Sequence, residues 1–364
     1  MTKKIHILAI ETSCDDTAVG IIQARVFGQK LKEFKVVSNE ISSQADLHAG
    51  YGGVYPALAK REHKKNLPLV FKAATKDFDI KKIDLVAVTA GPGLDPCLWT
   101  GINFVQEMLS GNKLPAVPVN HVEAHILANF LTKKIGEDAF RKTYLPAVAL
   151  AVSGGHTVLF KMNDIGKYKL LGQTRDDAAG ECFDKTARIL GLGYPGGPLI
   201  SALAKQWSKR KKKTIKVSMP RPMLNQKNYD FSFSGLKTAV LYYHKKQKPA
   251  LAASKEYLEA MSFEIQQAIV DVLVAKTMKA ASNLKAKSII IGGGVSANEL
   301  LRKTLKTVAK KQKLKLLMPK VDYCADNASM IGVAAYFANK RGEAVMDPQD
   351  LRSDSNLMIQ ESDN

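Results

Sequence analysis

The chain has 364 residues, 46% hydrophobic and 24% charged, with a formal net charge of +20. That length suits two cores better than one, and that composition is ordinary for a folded globular protein, so disorder is not the default. No apolar run reaches the ~20 residues needed to cross a bilayer, and Cys14, Cys97, Cys182 and Cys324 are too dispersed for a zinc ribbon or a disulfide framework. The apolar run at the N-terminus reaches Glu11 too soon for a secretory leader, which points to a cytoplasmic protein. The lysine and arginine excess reads either as a solubilising surface or as the mark of a polyanionic partner, because these side chains neutralise phosphates and release counterions.

In chain order, residues 5–22 read as strand, polar turn and strand, with Glu11 closing the first strand. A strand over residues 85–91 then runs into Gly91-Pro92-Gly93 and a helix. The design returns in the second half. Residues 146–160 are strand, turn and strand around Ser153-Gly154-Gly155-His156, and a strand from Ser288 ends in Gly292-Gly293-Gly294 before another helix. This repeat predicts an α/β fold of two duplicated lobes, with a ligand cleft where their turns meet. It resembles the actin, hexokinase and Hsp70-like ATPase architecture. The expected division is an N-terminal lobe over 1–120, completed by a helix near 327–340, and a C-terminal lobe over 121–326 with a helical insertion. Within the latter, Leu258, Met261, Ile265, Ile269, Val272 and Leu273 fall near helical spacing. The basic run over 205–216 is expected to face solvent. Residues 347–364, polar and mildly acidic, read as a disordered tail.

Several patterns carry chemistry. On a helix, His121 and His125 lie ~40° apart around the axis and share a face, so two imidazoles can grip one metal ion. Glu123 lies about 200° round from that face, which argues against a peptidase needing its glutamate beside the metal. Asp326 is a candidate third ligand, against the alternative that it caps the helix following it. Two histidines and a carboxylate leave open coordination positions, which suits Fe(II) or a catalytic Zn(II). The glycine turns at 154–155, 196–197 and 292–294 can present backbone N–H groups to phosphate. The carboxylates around Asp176, Asp177, Glu181 and Asp184 read either as ribose acceptors or as an acidic helix start.

Taken together, IETSCDDT (10–17), HAGYGGV (48–54), AGPGL (90–94), His121-x-x-x-His125, VSGGHT (152–157), DAAGECFDK (177–185), YPGGP (194–198), FSFSGLK (231–237), GGGVSAN (292–298) and Asp326-Asn327 resemble the TsaD family of tRNA threonylcarbamoyltransferases. The resemblance runs from about residue 5 to about residue 339. It implies an acyl transfer in which threonylcarbamoyl-adenylate donates its threonylcarbamoyl group to the exocyclic amine of the adenosine beside the tRNA anticodon, with AMP leaving. It implies that His121, His125 and Asp326 hold one iron ion, Fe(II), with Zn(II) as the alternative. It implies that Ala151, Val152, Ser153, Gly154, Gly155, Asp184, Gly197 and Asn298 bind the adenylate, Asp184 at the ribose and the two glycines near the phosphate. Glu11 is the candidate for positioning or deprotonating the amine. The implied partners are tRNA and TsaB-like and TsaE-like subunits, with no membrane. The chain departs from the family at Ala57, where glutamate is common, over residues 95–99, and at Glu107, where small residues are usual. All three lie in the first lobe, so they bear on partner contacts and packing more than on chemistry.

Three other readings compete: a metallopeptidase, an actin-like ATPase or small-molecule kinase, and a non-catalytic scaffold of a tRNA-binding complex. The position of Glu123 speaks against the first. A Mg-ATP enzyme has no need of the histidine pair. A scaffold would keep its role without His121.

Overall fold

A computed structural model describes residues 2–111 and 113–361. The first sheet holds β1 (Thr2–Glu11), β2 (Asp16–Phe27), β3 (Lys30–Ser43), β4 (Leu85–Gly91) and β5 (Ala116–Asn120), in the order β3-β2-β1-β4-β5. The second holds β6 (Ala147–Val152), β7 (Thr157–Asp164), β8 (Lys167–Gln173), β9 (Ser288–Gly292) and β10 (Lys315–Leu317), in the order β10-β9-β6-β7-β8. Each sheet is an antiparallel three-strand meander whose first strand also pairs in parallel with the fourth. The two are copies of one topology. The parallel strands β4, β6 and β9 are buried along their whole length. They therefore read as runs rich in Val, Ile, Leu and Ala, broken only by small or hydroxyl residues, whereas the edge strand β3 mixes exposed and buried positions.

The helices that position the site are α1 (Pro56–Thr75), α2 (Asp95–Met108), α3 (His121–Leu127), α4 (Ala179–Ile189), α5 (Gly196–Lys209), α6 (Ser234–Lys245), α7 (Lys255–Asn283), α8 (Glu299–Lys311) and α9 (Ala328–Lys340). α1 and α2 cover the outer face of the first sheet through Leu67, Val70, Ile102 and Val105. α4, α6, α7 and α8 cover the outer face of the second through Phe183, Val240, Ile265 and Leu305. Between the inner faces lie α3 and α9, in one core with Ile7, Ile22, Ala149 and Phe160.

These two central helices cross over. α3 follows the last strand of the first sheet but packs on β6 and β9 of the second. α9 follows the last strand of the second sheet but packs on β1 and β2 of the first. Both approaches are close enough to require glycine. A Cβ on Gly292 would sit 2.2 Å from the His125 carbonyl oxygen, and one on Gly332 would sit 2.6 Å from Ile22 Cγ1.

The C-terminal segment corrects an expectation. Residues 347–361 do not behave as a disordered tail. Asp354 N donates to Ala90 O, Gly93 N donates to Ser355 O, and Asn120 Nδ2 donates to Leu357 O. Leu351 is buried in the outer core of the first sheet, and Ile359 in the core between the sheets. Two apolar anchors are enough to hold a polar strap in place. Residues 362–364 lie outside the described residues.

Candidate metal and nucleotide site

α3 begins where Asn120 caps it, its Oδ1 accepting from Val122 N and Glu123 N. The cap starts the helix at His121 and puts His125 one turn on, with ring centroids 4.6 Å apart. Asp326 precedes α9, but Asn327 is the cap of that helix, accepting from Met330 N at 3.0 Å. Asp326 is therefore free for another task. Its Oδ1 lies 3.1 Å from His125 Nε2 and 3.4 Å from His121 Nε2. One ligand atom from each of the three residues falls within 4.8 Å of the others. The crossover of α3 and α9 is what joins His121 and His125 to a residue about 200 positions further along the chain.

The donor set fits a metal ion. His125 Nδ1 is buried without a hydrogen-bond partner, and Nε2 has only the Asp326 carboxylate at 3.1 Å, too poorly aligned for a regular hydrogen bond, an expense a fold seldom bears unless a ligand repays it. Burial pushes the His125 imidazole below its ordinary range, leaving the neutral form that binds metals. Burial opposes charge on His121 too, but the Asp326 and Glu11 carboxylates outweigh it and hold that ring well above its ordinary range. Asp326 is likewise held far below the carboxylate range by the two imidazoles, against its own burial. The site favours positive charge between its carboxylates.

Glu11 is placed differently from expectation. It has no exposed surface. Its Oε1 accepts from Ser13 N at 2.5 Å, and its Oε2 accepts from Thr89 Oγ1 at 2.7 Å and lies 2.9 Å from His121 Nδ1. A carboxylate so enclosed cannot meet a substrate amine. It fixes the ring orientation of His121, leaving Nε2 to face Asp326. Glu123 points the other way, as its helical position requires, and pairs with Arg341 at 3.0 and 3.2 Å.

A cavity of about 750 Å³ is lined by Gly154, Asp184, Gly197, Gly294 and Asn298 among others, and Gly292, two residues before Gly294, packs against the His125 carbonyl oxygen. A Cβ on Gly154, Gly155 or Gly294 would enter open space. The packing on either side is tight: Gly180 stacks its Cα face on Ser153 O, and Gly293, at φ +92°, lies against Val152 O. The loops are thus locked from behind and bare in front, as backbone meant to approach a ligand must be. Asp184 Oδ1 accepts from Gly196 N at 2.7 Å. Asn298 caps α8 through Leu301 N while its amide donates to Ser201 Oγ and Gln266 Oε1. Of the other expected adenylate residues, Ser153 accepts from His156 N, and Ala151 and Val152 are buried in β6 rather than lining the cavity.

Three features of the site escaped the sequence reading. His156 feels the charge on His121, and burial first, with that charge, pushes its pKa down to about 4. Gln266, from the middle of α7, reaches the cavity, with nothing to mark it among the helix's apolar residues. Asp15 lies 3.4 Å from the Tyr194 hydroxyl of the opposite lobe, a pairing that only the closed cleft creates.

Two duplicated sheets with helices crossing between them define the two-lobed fold class to which actin, hexokinase and Hsp70-like ATPases belong. Two solved HypF structures share this fold, one from T. kodakarensis (TM-score 0.52, 13% identity, 93% of this chain and 48% of that one) and one of full-length HypF (TM-score 0.53, 12% identity, 93% and 47%). The profile of TsaD, tRNA N6-adenosine threonylcarbamoyltransferase, matches residues 35–333. A protein of that name from Thermosipho africanus is 44% identical over 338 residues, covering 92% of this chain and 95% of its own length. One from Thermotoga neapolitana is 42% identical over 356 residues, covering 98% and 100%. The chain belongs to the TsaD family, acyltransferases that modify an adenosine of tRNA. No helix among the described residues is long and apolar enough to cross a membrane.

Proposed function

We propose that the chain transfers the threonylcarbamoyl group of threonylcarbamoyl-adenylate to the exocyclic amine of the adenosine beside the anticodon, with one Fe(II) held by His121, His125 and Asp326. Zn(II) satisfies the same donors. The observation that carries this reading is that the loop 292–298 serves both places: Gly292 packs on His125 of the three converging ligands, and Gly294 and Asn298 line a cavity of nucleotide size. The donor is already activated, so no protein nucleophile is required. When bound, the ion supplies Lewis acidity at the carbamoyl carbonyl. The backbone N–H groups of Gly154 and Gly155 orient the phosphate and stabilise the charge it gains as AMP departs. Asp184 accepts from the ribose hydroxyls, beside Gly197. Asn298, held by Ser201 and Gln266, closes the adenosine end. Glu11, Thr89 and Ser13 keep His121 in its ligating orientation.

The partners are tRNA and subunits of the TsaB and TsaE kind, and the tRNA substrate supports a cytoplasmic site of action. The break between β5 and β6 supports a first lobe over 1–120, completed by α9, and a second over 121–326.

The test combines the purified chain, iron, TsaB-like and TsaE-like subunits, synthetic threonylcarbamoyl-adenylate and unmodified tRNA. Nucleoside digests should contain the threonylcarbamoylated adenosine, with one AMP released per transfer. His125→Ala should bind no iron and make no product while remaining folded. An active His125→Ala protein, or an inactive iron-loaded wild type with all partners present, removes the proposal.

A further inference from the structure

One segment of the first lobe has no part in the chemistry above. Between the short helix Ala45–Ala49 and α1, Tyr51 and Tyr55 stack on each other, centroids 5.5 Å apart and planes within 14°. They are 62% and 53% exposed. Two large aromatic rings held face to face in water forgo burial that would otherwise stabilise the fold.

The pair is fixed in place. Tyr55 N donates to Nδ1 of buried His48, whose Nε2 lies 3.2 Å from Gln44 Oε1. Gln44 N in turn donates to Asp15 O. Asp15 is two residues from Ser13, which touches His121, and it faces Tyr194 across the cleft. Gly52, at φ +68°, turns the loop so that its carbonyl faces Arg188 of α4 at 3.5 Å, where a Cβ would meet the Arg188 side chain. The stacked rings therefore stand on the first-lobe lip of the cleft, with a guanidinium of the second lobe opposite. Just beyond, Lys60 and Lys64 on the first turns of α1 are exposed and make no ion pair among the described residues.

We propose that Tyr51 and Tyr55 form a stacking platform for an unpaired nucleobase of the substrate tRNA, with Lys60, Lys64 and Arg188 meeting the adjoining phosphates. This rests on tRNA being the substrate. A target adenosine in a loop reaches an interlobe site only if the loop is splayed, and splayed bases are held on aromatic faces and guanidinium planes. Exposed rings followed by two lysines without ion pairs among the described residues match that need. A protein partner would call for a broader apolar surface.

The test measures tRNA affinity by fluorescence anisotropy, without donor, and KM for tRNA in the full reaction. Tyr51→Ala/Tyr55→Ala should raise the Kd and the KM for tRNA by about 5- to 100-fold, with kcat at saturating tRNA and iron content near wild type. Tyr51→Phe/Tyr55→Phe should restore affinity, and Tyr51→Leu/Tyr55→Leu should not, because stacking needs a π face. Unchanged affinity in the alanine protein overturns the platform, as does equal rescue by Leu and Phe. A defect that appears only when partner subunits are added overturns it too, by assigning the rings to protein docking. A wild type that binds tRNA tightly but never modifies it defeats the transferase reading and leaves the platform to be judged on affinity alone.

Discussion

Glu11 shows how much of this site is held by a residue sealed from solvent. Its two oxygens are taken by Ser13 N, Thr89 Oγ1 and His121 Nδ1, all out of water. Glu11→Gln preserves shape but replaces an acceptor with a donor and removes the charge that supports the ring. Iron affinity should fall ~10- to 100-fold, read by competition with a chelator, while the adenylate still binds. His156 makes a second residue-scale case. Its folded pKa of about 4 lies below the ordinary 6.5, so the fold prefers the neutral ring. That contribution is complete above pH 6.5 and is lost as pH falls toward 4. Over that window the wild type should lose up to about 3 kcal/mol that His156→Gln does not, less as far as water reaches the partly exposed ring. Denaturant titrations of both proteins at several pH values measure it, and parallel curves would refute it.

At the scale of elements, the start of α5 separates packing from function in two adjacent glycines. A Cβ on Gly196 would lie 2.6 Å from both Ala187 Cβ and Phe183 O, whereas one on Gly197 would meet only Phe183 Cβ at 4.0 Å and face the cavity. Gly196→Ala should cost about 1–3 kcal/mol through overpacking. Gly197→Ala should keep or slightly raise stability, since alanine suits a helix better, yet raise KM for the adenylate. Thermal melts beside donor titrations give both readouts, and an unaltered KM in Gly197→Ala would remove that residue from the donor site. The crossing helices belong to this scale too. Asn327 caps α9 in place of Asp326, and that single shift of the cap is what makes Asp326 available to the histidines.

For the whole molecule, the C-terminal strap ties the first sheet to the core between the sheets. Removing residues 347–364 strips Leu351 from one core and Ile359 from the other, worth ~3–6 kcal/mol of apolar burial. The unfolding midpoint of the truncated protein should drop by several degrees, with iron binding retained because no ligand lies in the strap. An unchanged midpoint would show that the strap is passively draped.

How far the sequence reached follows from the range over which each feature is encoded. The buried parallel strands, the repeated hairpin and the spacing of His121 and His125 are local, written within a few residues of each other, so periodicity and helix geometry made them legible. Asp326 was legible as a candidate, but its alternative as a cap could be dismissed only once Asn327 was seen in that position. Glu11 was singled out for the wrong task, because a carboxylate ending a strand reads the same whether it opens to a cleft or is sealed behind an imidazole. The strap was misread because composition averages over two apolar anchors that are spaced too widely to show a period. By itself, then, the sequence determined the duplicated α/β design, the family, the histidine pair and the glycine turns, all properties of short segments. The tertiary structure decided which carboxylate meets the two imidazoles at Nε2 and which stands behind them, which glycines are bare and which are packed, and where the tail lies. Those depend on two helices exchanging sheets, a contact between residues about 200 positions apart that no local pattern records.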